Sequence, residues 1–276
     1  MTARRETVLN YAILGVFVAS TLLPLLGLVD SAFGPPNAST ATLTIPHSLH
    51  SLHLGNLVTA WNQGHFSEYM ISSLIVSGTA SLLVCAVSLL AGYALGTMNF
   101  RGREVVFYVF LLGIMVPEEA LIVPLYFDLR TLGLTDTYWS LILPQTAGIL
   151  SFGVFWMRAF FRTTPPALRE AAAIDGASSW NTLVRILLPI SRPALLTLAM
   201  LSFMWTWNEF LLPLVMIATE SRRTAPLGLS FFRGEHLTQY SLLSAAALIV
   251  AAPIVILYMI FNRRFIAGMM AGAVKE

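Results

Sequence analysis

Three acidic residues in otherwise apolar segments are the side chains best placed to do chemistry. Glu118 and Glu119 follow Pro117, and Glu209 follows a Trp-Asn pair. An unpaired charge inside a membrane costs about 3 kcal/mol, so such residues are functional candidates by default. They could accept hydrogen bonds from the hydroxyl groups of a polar ligand, carry protons, or only brace contacts between helices. The candidate solute-path residues are Glu119, Trp205, Asn208 and Glu209, with Glu118 and Trp207 as alternatives beside them.

Metal binding and catalysis have little support in the sequence. His47, His50 and His53 share the i, i+3 spacing of one helix face, but the segment has no carboxylate or cysteine to complete a metal site, so we expect a solvated loop. Cys85 is the one cysteine, so an intrachain disulfide is excluded. Lys275 is the one lysine, and a Walker A loop needs a lysine after its glycines. Any ATP must therefore be handled by another chain.

The elements that carry these residues are predicted to be membrane helices. Of the 276 residues, 57% are hydrophobic and 11% are charged, whereas soluble domains carry about 25% charged residues. A membrane-spanning helix needs about 20 apolar residues. Six segments reach that length, two of them interrupted by the acids: 7–29, 69–100, 105–127, 137–157, 193–219 and 236–262. We expect the third of them to break at Pro117. We predict an all-α integral membrane protein with six transmembrane helices, the first of them uncleaved.

The distribution of basic residues predicts the orientation of these helices. With the N-terminus inside, twelve of the 16 Lys and Arg residues lie on the inner side and four on the outer side. The positive-inside rule then places both termini in the cytoplasm. The predicted layout is an N-terminal tip with the first helix (1–29), an external loop (30–68), a core of five helices (69–264) and a cytoplasmic tail (265–276).

A polar, helix-prone stretch, EAAAIDGASSWNTLVRILLP, lies on the inner side between the fourth and fifth predicted spans. Ahead of it, Thr164 followed by Pro165-Pro166 suits a helix cap and a first helical turn. The alanine-rich residues 167–175 favour a helix. Gly176 can end that helix in the left-handed conformation and turn the chain.

A second short helix is predicted after the glycine. Ser178 or Ser179 can cap a helix through residues 180–188, which must stop near Pro189. The result is two short helices outside the membrane. The small alanines would let the first helix settle into a groove on another protein, but a helix pair lying on lipid headgroups fits the same pattern.

The spacing of this stretch resembles the EAA loop of permease subunits in binding-protein-dependent ABC importers. The matching pattern is Glu170-Ala171-Ala172, three residues, Gly176, nine residues, Ile186, one residue, and Leu188-Pro189. The stretches NFRGRE, VPLYFDLRTLGLTDTYWSLILP, AAIDGAS, WNEFLLPL and RRFIAGMMAGAVKE are similar to the maltose-type, carbohydrate-uptake branch, the last of them to its smaller permease subunit. The likeness runs from about residue 71 to the C-terminus, and the first span fits only in layout.

The resemblance implies the type I ABC importer permease fold, in which residues 164–190, here named the EAA loop, dock on a separate ATPase subunit. The residues implied to form the docking helix are Glu170, Ala171, Ala172, Asp175 and Gly176. Those implied to bury the second helix against the bundle are Ile186, Leu188 and Pro189. The tail, residues 271–276, is expected to reach into the ATPase dimer.

The resemblance also implies partners and a location. A second, homologous permease subunit, two ATP-binding subunits that hold ATP and Mg²⁺, and an extracytoplasmic solute-binding protein would complete the importer in a bacterial inner membrane. This chain would then need no cofactor or catalytic site of its own. In the maltose branch the visible sugar site lies mainly on the partner permease.

Two alternatives from other classes fit the sequence. One is a proton-coupled secondary transporter that acts alone and uses the membrane acids as proton sites. The other is a structural or sensory membrane scaffold without a substrate path. The sequence does not identify the sugar, since maltose-like oligosaccharides, trehalose, amino sugars and glycerophosphate-type solutes all fit.

Overall fold

The chain folds into a series of α-helices. A computed structural model describes residues 2–35, 53–233 and 239–273. The helices in these ranges are α1 (Thr2–Phe33), α2 (Gly55–Gln63), α3 (Phe66–Thr97), α4 (Arg103–Ile114), α5 (Glu118–Thr131), α6 (Trp139–Thr163), α7 (Pro166–Ile174), α8 (Ser179–Asn181), α9 (Leu188–Asn208), α10 (Leu211–Met216), α11 (Ala225–Gly228) and α12 (Tyr240–Ala273). A π-helical segment, Thr182–Leu187, joins α8 to α9.

Five helices within the described ranges are long and apolar enough to cross a membrane. They lie in α1, α3, α6, the continuous helix Ser179–Asn208 and α12. The pair α4 and α5 passes the same test together but is bent by 98° between Ile114 and Glu118. The six predicted spans therefore correspond to five helices and one bent pair, and the bend falls at Pro117, where the sequence predicted the third span to break.

The predicted boundaries differ most from the structure on either side of the EAA loop. The fourth span does not stop at residue 157, because α6 continues to Thr163. The second helix of the EAA loop does not stop near Pro189, because the π segment leads it into α9 as far as Asn208. A proline crowds the carbonyl four residues earlier in an α-helix, and the wider i→i+5 turns just before Pro189 relieve that crowding. The fifth span, predicted as 193–219, is therefore the helix Ser179–Asn208, which begins inside the EAA loop.

The backbone divides into two compact units. One consists of the residues up to Ser67 with Gly228–Pro253, and the other of Glu68–Leu227 with the residues from 254 onward. In the first unit, the Asn56 amide donates to the carbonyls of Ala32 and Gly34, both at 2.9 Å, and so satisfies free carbonyls at the end of α1. In the same unit the Ser244 hydroxyl lies 3.1 Å from that of Ser31 and fastens α12 to α1.

The second unit holds the candidate sites, and α3 packs closely against its neighbours there. A Cβ atom at Gly92 would lie 2.5 Å from the Cβ of Met157, so α3 and α6 touch through a glycine. The Ser81 hydroxyl donates to the Ala199 carbonyl at 2.9 Å and links α3 to α9. Small residues and interhelical hydrogen bonds are how helices associate in lipid. The apolar cluster nearest the EAA loop consists of Val84, Tyr93, Met157, Phe161, Leu183, Leu187, Ala194 and Leu198.

Candidate functional site

The first helix of the EAA loop is α7, and its start differs from the prediction. Pro166 occupies the first turn as expected, but Thr164 does not cap the helix. The Thr164 hydroxyl instead donates to the Phe160 carbonyl at 3.3 Å, at the end of α6. The hydroxyl is used by the preceding helix because a carbonyl freed at the end of α6 competes for it.

The predicted glycine turn is confirmed at the other end of α7. Gly176 has a φ of +76°, in the left-handed region that favours glycine. The amides of Ala177 and Gly176 donate to the carbonyls of Ala172 and Ala173 at 2.9 and 3.1 Å. This pair of hydrogen bonds is the Schellman motif that ends many helices. The loop therefore has a defined shape at its tip.

The α7 helix has a buried side and an exposed side. Ala172 is buried, whereas Glu170, Ala171 and Asp175 are exposed. Ile174 is 86% exposed, and Trp180, just beyond the glycine turn, is 62% exposed. Exposed apolar side chains grouped at a loop tip mark a contact surface. We name Ile174, Trp180 and the exposed acids between and before them the tip surface.

Both helices of the EAA loop are hydrogen-bonded to the last turns of α3. The Arg169 guanidinium donates from Nη1 to the Thr97 carbonyl at 2.7 Å. The Tyr93 hydroxyl donates to the Ser179 carbonyl at 3.3 Å, at the start of the second helix. A displacement of α7 would therefore act on α3 directly.

The second helix of the loop is capped as predicted, and its apolar side chains pack against the bundle. The Ser178 hydroxyl accepts a hydrogen bond from the Asn181 amide at 3.3 Å, which confirms the predicted cap. Leu183 and Leu187 are the buried apolar residues. Of the residues that the resemblance implied, Ile186 is partly buried and packs against the apolar cluster that contains Leu183 and Leu187, Leu188 is partly buried, and Pro189 is exposed. The π segment widens the turns and so changes which side chains face the bundle.

The acidic residues meet where two spans break. The bent pair α4–α5 breaks ahead of Glu118, and α9 ends at Asn208, so Glu209 starts an extended link to α10. Two cavities, of about 400 and 530 Å³, share Glu118, Gln145 and Glu209 in their walls. Every candidate solute-path residue lines at least one of them: Glu119 the larger, Trp205 and Asn208 the smaller, and Glu209 both.

Of the two tryptophans considered, Trp205 lines the cavity. It is 45% exposed and meets Phe152 edge to face with ring centroids 5.1 Å apart. Trp207 is buried and stacks on Phe203, with centroids 5.5 Å apart. Because the two tryptophans lie two positions apart on a helix, they point about 200° apart. Trp207 therefore belongs to the core and does not offer its face to a solute.

Two of the cavity residues also have local structural roles. The Glu209 carboxylate accepts hydrogen bonds at Oε1 from the amides of Leu211 and Leu212, at 2.9 and 3.0 Å, and so starts α10. The Asn208 amide donates to the Met204 carbonyl at 2.8 Å, within its own helix. The acid after the Trp-Asn pair thus shapes the break in the helix as well as lining the cavity.

Gln145 is a cavity residue that the sequence did not single out. It lies in α6, is 6% exposed, and both ends of its side-chain amide lack a hydrogen-bond partner within the described chain. A glutamine inside an apolar span was the only available signal. The sequence gave no sign that it would face the acids from α5 and the α9–α10 link.

Other predicted features fall partly outside the described residues. His47 and His50 lie outside them, as do residues 274–276 of the tail. The backbone amide of His53 donates to the Phe33 carbonyl at 2.9 Å. Among the residues that the structure describes, no group of three or more His, Cys, Asp or Glu side chains could hold a metal ion.

Comparison with known proteins gives consistent matches. Residues 88–270 match the family described as binding-protein-dependent transport system inner membrane component. The probable ABC transporter permease protein YurM of Bacillus subtilis is 36% identical over 266 residues, which are 96% of this chain and 87% of that protein. The trehalose transport system permease protein SugB of Mycobacterium tuberculosis is 31% identical over 278 residues and matches along the full length of both chains.

A solved structure shows the same fold. It is the crystal structure of a bacterial ABC transporter involved in the import of the acidic polysaccharide alginate. One of its chains superposes with a TM-score of 0.80 at 18% sequence identity, covering 96% of this chain and 98% of that one. The predicted all-α importer-permease fold is therefore confirmed.

Proposed function

This chain belongs to the family of binding-protein-dependent transport system inner membrane components, and from that premise we propose that it is a permease subunit that passes a carbohydrate into the cytoplasm. Relatives named for sugars, among them the trehalose permease, support a carbohydrate as the substrate. The chain has no lysine before position 275 and so no Walker A loop. In this proposal, the energy for transport comes from a partner subunit that binds ATP.

The tip surface of the EAA loop is the observation that carries the proposal. Ile174 and Trp180 are exposed there although apolar side chains of that size are usually buried. The neighbouring Glu170 and Asp175 are exposed and acidic, so a socket with basic groups around an apolar floor would suit them. We assign this surface to the ATPase subunit. The first helix, α7, then acts as a rigid docking helix whose end is fixed by the Schellman turn at Gly176.

The hydrogen bonds between the EAA loop and α3 suggest how a motion of α7 is transmitted to the membrane helices. Arg169 ties α7 to the end of α3, and Tyr93 ties α3 to the start of the second helix. The second helix continues without interruption from Ser179 to Asn208, where the cavity begins. Closure of an ATPase pair would therefore move α3 and the long helix together and change access to the cavity.

We propose a complete importer, of which the family description names the external binding protein. It comprises this chain, a second and homologous permease, two ATPase subunits with ATP and Mg²⁺, and an external solute-binding protein. Both termini lie in the cytoplasm and the membrane is a bacterial inner membrane. The basic residues support this orientation, since twelve of 16 would lie inside.

The experiment is co-purification and uptake after Ile174→Asp. Cells expressing the tagged chain with its partner subunits are extracted in mild detergent, and the ATPase recovered with this chain is measured. We expect Ile174→Asp to lower both recovered ATPase and ATP-driven uptake at least ten-fold, because a charge would enter the apolar floor of the socket. Leu132→Asp is the matched control, since Leu132 is 69% exposed in the loop after α5.

The control variant should behave as wild type. Equal loss in both variants, or no loss in Ile174→Asp, would contradict the docking role of the tip surface. Uptake by the wild-type chain alone, driven by a proton gradient and indifferent to ATP, would instead support the secondary-transporter alternative.

A further inference from the structure

The Gln145 side chain is buried in the wall that the two cavities share. It is 6% exposed, and neither its amide oxygen nor its amide nitrogen is hydrogen-bonded within the described chain. The large majority of buried side-chain polar atoms in proteins have a hydrogen-bond partner. The Gln145 amide lines two cavities of about 400 and 530 Å³. It is therefore placed to form hydrogen bonds with a solute that enters them.

The group opposite Gln145 is acidic and closely fitted. Glu118 lies so near Gly148 of α6 that a Cβ atom there would be 2.0 Å from its Oε1. The glycine thus makes room for the carboxylate. Glu119 and Glu209 line the larger cavity together with Glu118. The walls therefore present three carboxylates and a free amide to the interior.

Positive charge is lacking in both cavities. None of the residues that line them, all within the described part of the chain, is Lys, Arg or His. Carboxylates repel an anionic solute at short range, and a low-dielectric wall strengthens that repulsion. They accept hydrogen bonds well from hydroxyl groups, and an amide can both donate and accept. The half-exposed Trp205 adds an aromatic face beside them.

We propose that Gln145, with Glu118 and Glu209, is this subunit's contact for an uncharged, hydroxyl-rich sugar on its way through the membrane. The inference rests on the function proposed above and narrows it, because phosphorylated sugars, uronic acids and sulfonated sugars are disfavoured. Sugar hydroxyls donate to the carboxylates, and the Gln145 amide bridges to a further hydroxyl. Glu209 keeps its Oε1 bonds to the start of α10 and offers Oε2.

The first arm of the test compares solutes in the assembled wild-type transporter. Proteoliposomes that contain both permeases and the ATPases, supplied with the binding protein, are offered the uncharged sugars trehalose, maltotriose and diacetylchitobiose. The anionic probes are glycerol 3-phosphate and an alginate disaccharide. Uptake of an uncharged sugar and not of the anions is expected. Uptake confined to an anion would overturn the inference, and uptake of none of the five would count against the proposed function and the inference together.

The second arm replaces the amide. Gln145→Leu removes an unpartnered buried polar group, so the thermal stability of the complex should stay the same or rise. The KM for the transported sugar should nevertheless rise about ten-fold, the worth of one good hydrogen bond. Gly148→Ala should also impair uptake, because the added methyl group displaces the Glu118 carboxylate. A purely structural role for Gln145 would not couple higher stability to weaker transport.

The matched control is Ser77→Ala. Ser77 is likewise buried, and its hydroxyl has no hydrogen-bond partner among the described residues, but it lines neither cavity. It should show a similar effect on stability and an unchanged KM. If Gln145→Leu transports the same sugar with a wild-type KM while the wild-type complex remains active, the inference fails and the proposed function stands.

Discussion

The guanidinium of Arg158 in α6 forms an ion pair with the carboxylate of Glu104 in α4, and its Nη2 lies 2.8 Å from Oε1 and 2.6 Å from Oε2. Arg158 is 5% exposed, and its guanidinium lies 3.6 Å from the centre of the Phe107 ring. Its Nε donates to the Leu95 carbonyl at 3.2 Å. One side chain thus joins α3, α4 and α6 at the end of the bundle that carries the EAA loop.

Arg158→Met is expected to destabilise the protein markedly. The variant keeps the length of the side chain but loses the ion pair, the bond to Leu95 and the contact with the Phe107 ring, and it leaves the Leu95 carbonyl without this partner. The melting temperature of the purified complex is the measurement. Arg162→Met, one turn later on the same helix at an exposed position, should change it little. Equal effects of the two variants would show that the Arg158 network adds no stability.

Arg169→Met is expected to uncouple ATP hydrolysis from uptake. Its bond to the Thr97 carbonyl, 2.7 Å long, links the proposed docking helix to α3. Without that link the ATPase subunits should still bind and hydrolyse ATP, while solute moved per ATP falls several-fold. Arg169→Lys retains a donor and should recover part of the ratio, and Arg185→Met on the exposed side of the π segment should leave it unchanged. An unaltered ratio in Arg169→Met would contradict this route of coupling.

Gly176→Ala separates the shape of the EAA loop from general stability. Gly176 and Gly133 both have positive φ, +76° and +68°, and an added Cβ at either would meet no atom within 4 Å. Each alanine variant should therefore cost about 1 kcal/mol of backbone strain. Only Gly176→Ala should also weaken association with the ATPase, measured by co-purification. Weaker association in both variants would point to a global effect.

Much of this architecture could be predicted from local sequence signals, and the remainder depended on distant contacts. The apolar segments, the break at Pro117, the Gly176 turn and the Ser178 cap each follow from a few neighbouring residues. The path of the chain through Pro189 did not, because a proline ends an α-helix unless a wider turn precedes it. Arg158 looked like a flanking charge, since its partner Glu104 lies 54 residues away.

The residues that line the cavity could also be predicted only in part from the sequence. The three membrane acids were identified by their cost in lipid, and the structure places Glu118, Glu119 and Glu209 together in the walls of the larger cavity. Gln145 carries no charge and belongs to no motif, so only its burial without a partner reveals it.

Asp136 holds the loop between α5 and α6 to the chain after α10. Its carboxylate accepts hydrogen bonds from the Thr219 hydroxyl and from the amides of Thr219 and Ala218, and it pairs with Arg222 at 3.5 Å. These bonds, the one from the Thr219 hydroxyl first, lower the pKa of Asp136 below its ordinary value of 3.8. The charged form is thus favoured in the folded state.

This lowered pKa predicts how stability depends on pH. A carboxyl group with a lower pKa in the folded state contributes stability that is full about one unit above its unfolded pKa and is lost as the pH falls through the folded pKa. Asp136→Asn tolerates the same φ of +57° but lacks the charge. We expect its melting temperature to lie below that of wild type at pH 7 and the gap to close as the pH falls below 3.8. A melting-temperature gap that stays constant as the pH is lowered below 3.8 would contradict the assignment.

The central claim, that an ATPase subunit covers the tip surface, is tested most directly by labelling Ile174→Cys in a Cys85→Ala background. Cys85 is the one native cysteine, so the introduced thiol is the only target for a water-soluble maleimide. In the assembled transporter we expect labelling to fall at least ten-fold relative to the chain without its ATPase, and a short bifunctional reagent to join the two subunits. A thiol that reacts at the same rate with and without the ATPase, in the nucleotide-free, ATP-bound and ADP-bound states alike, would contradict the account.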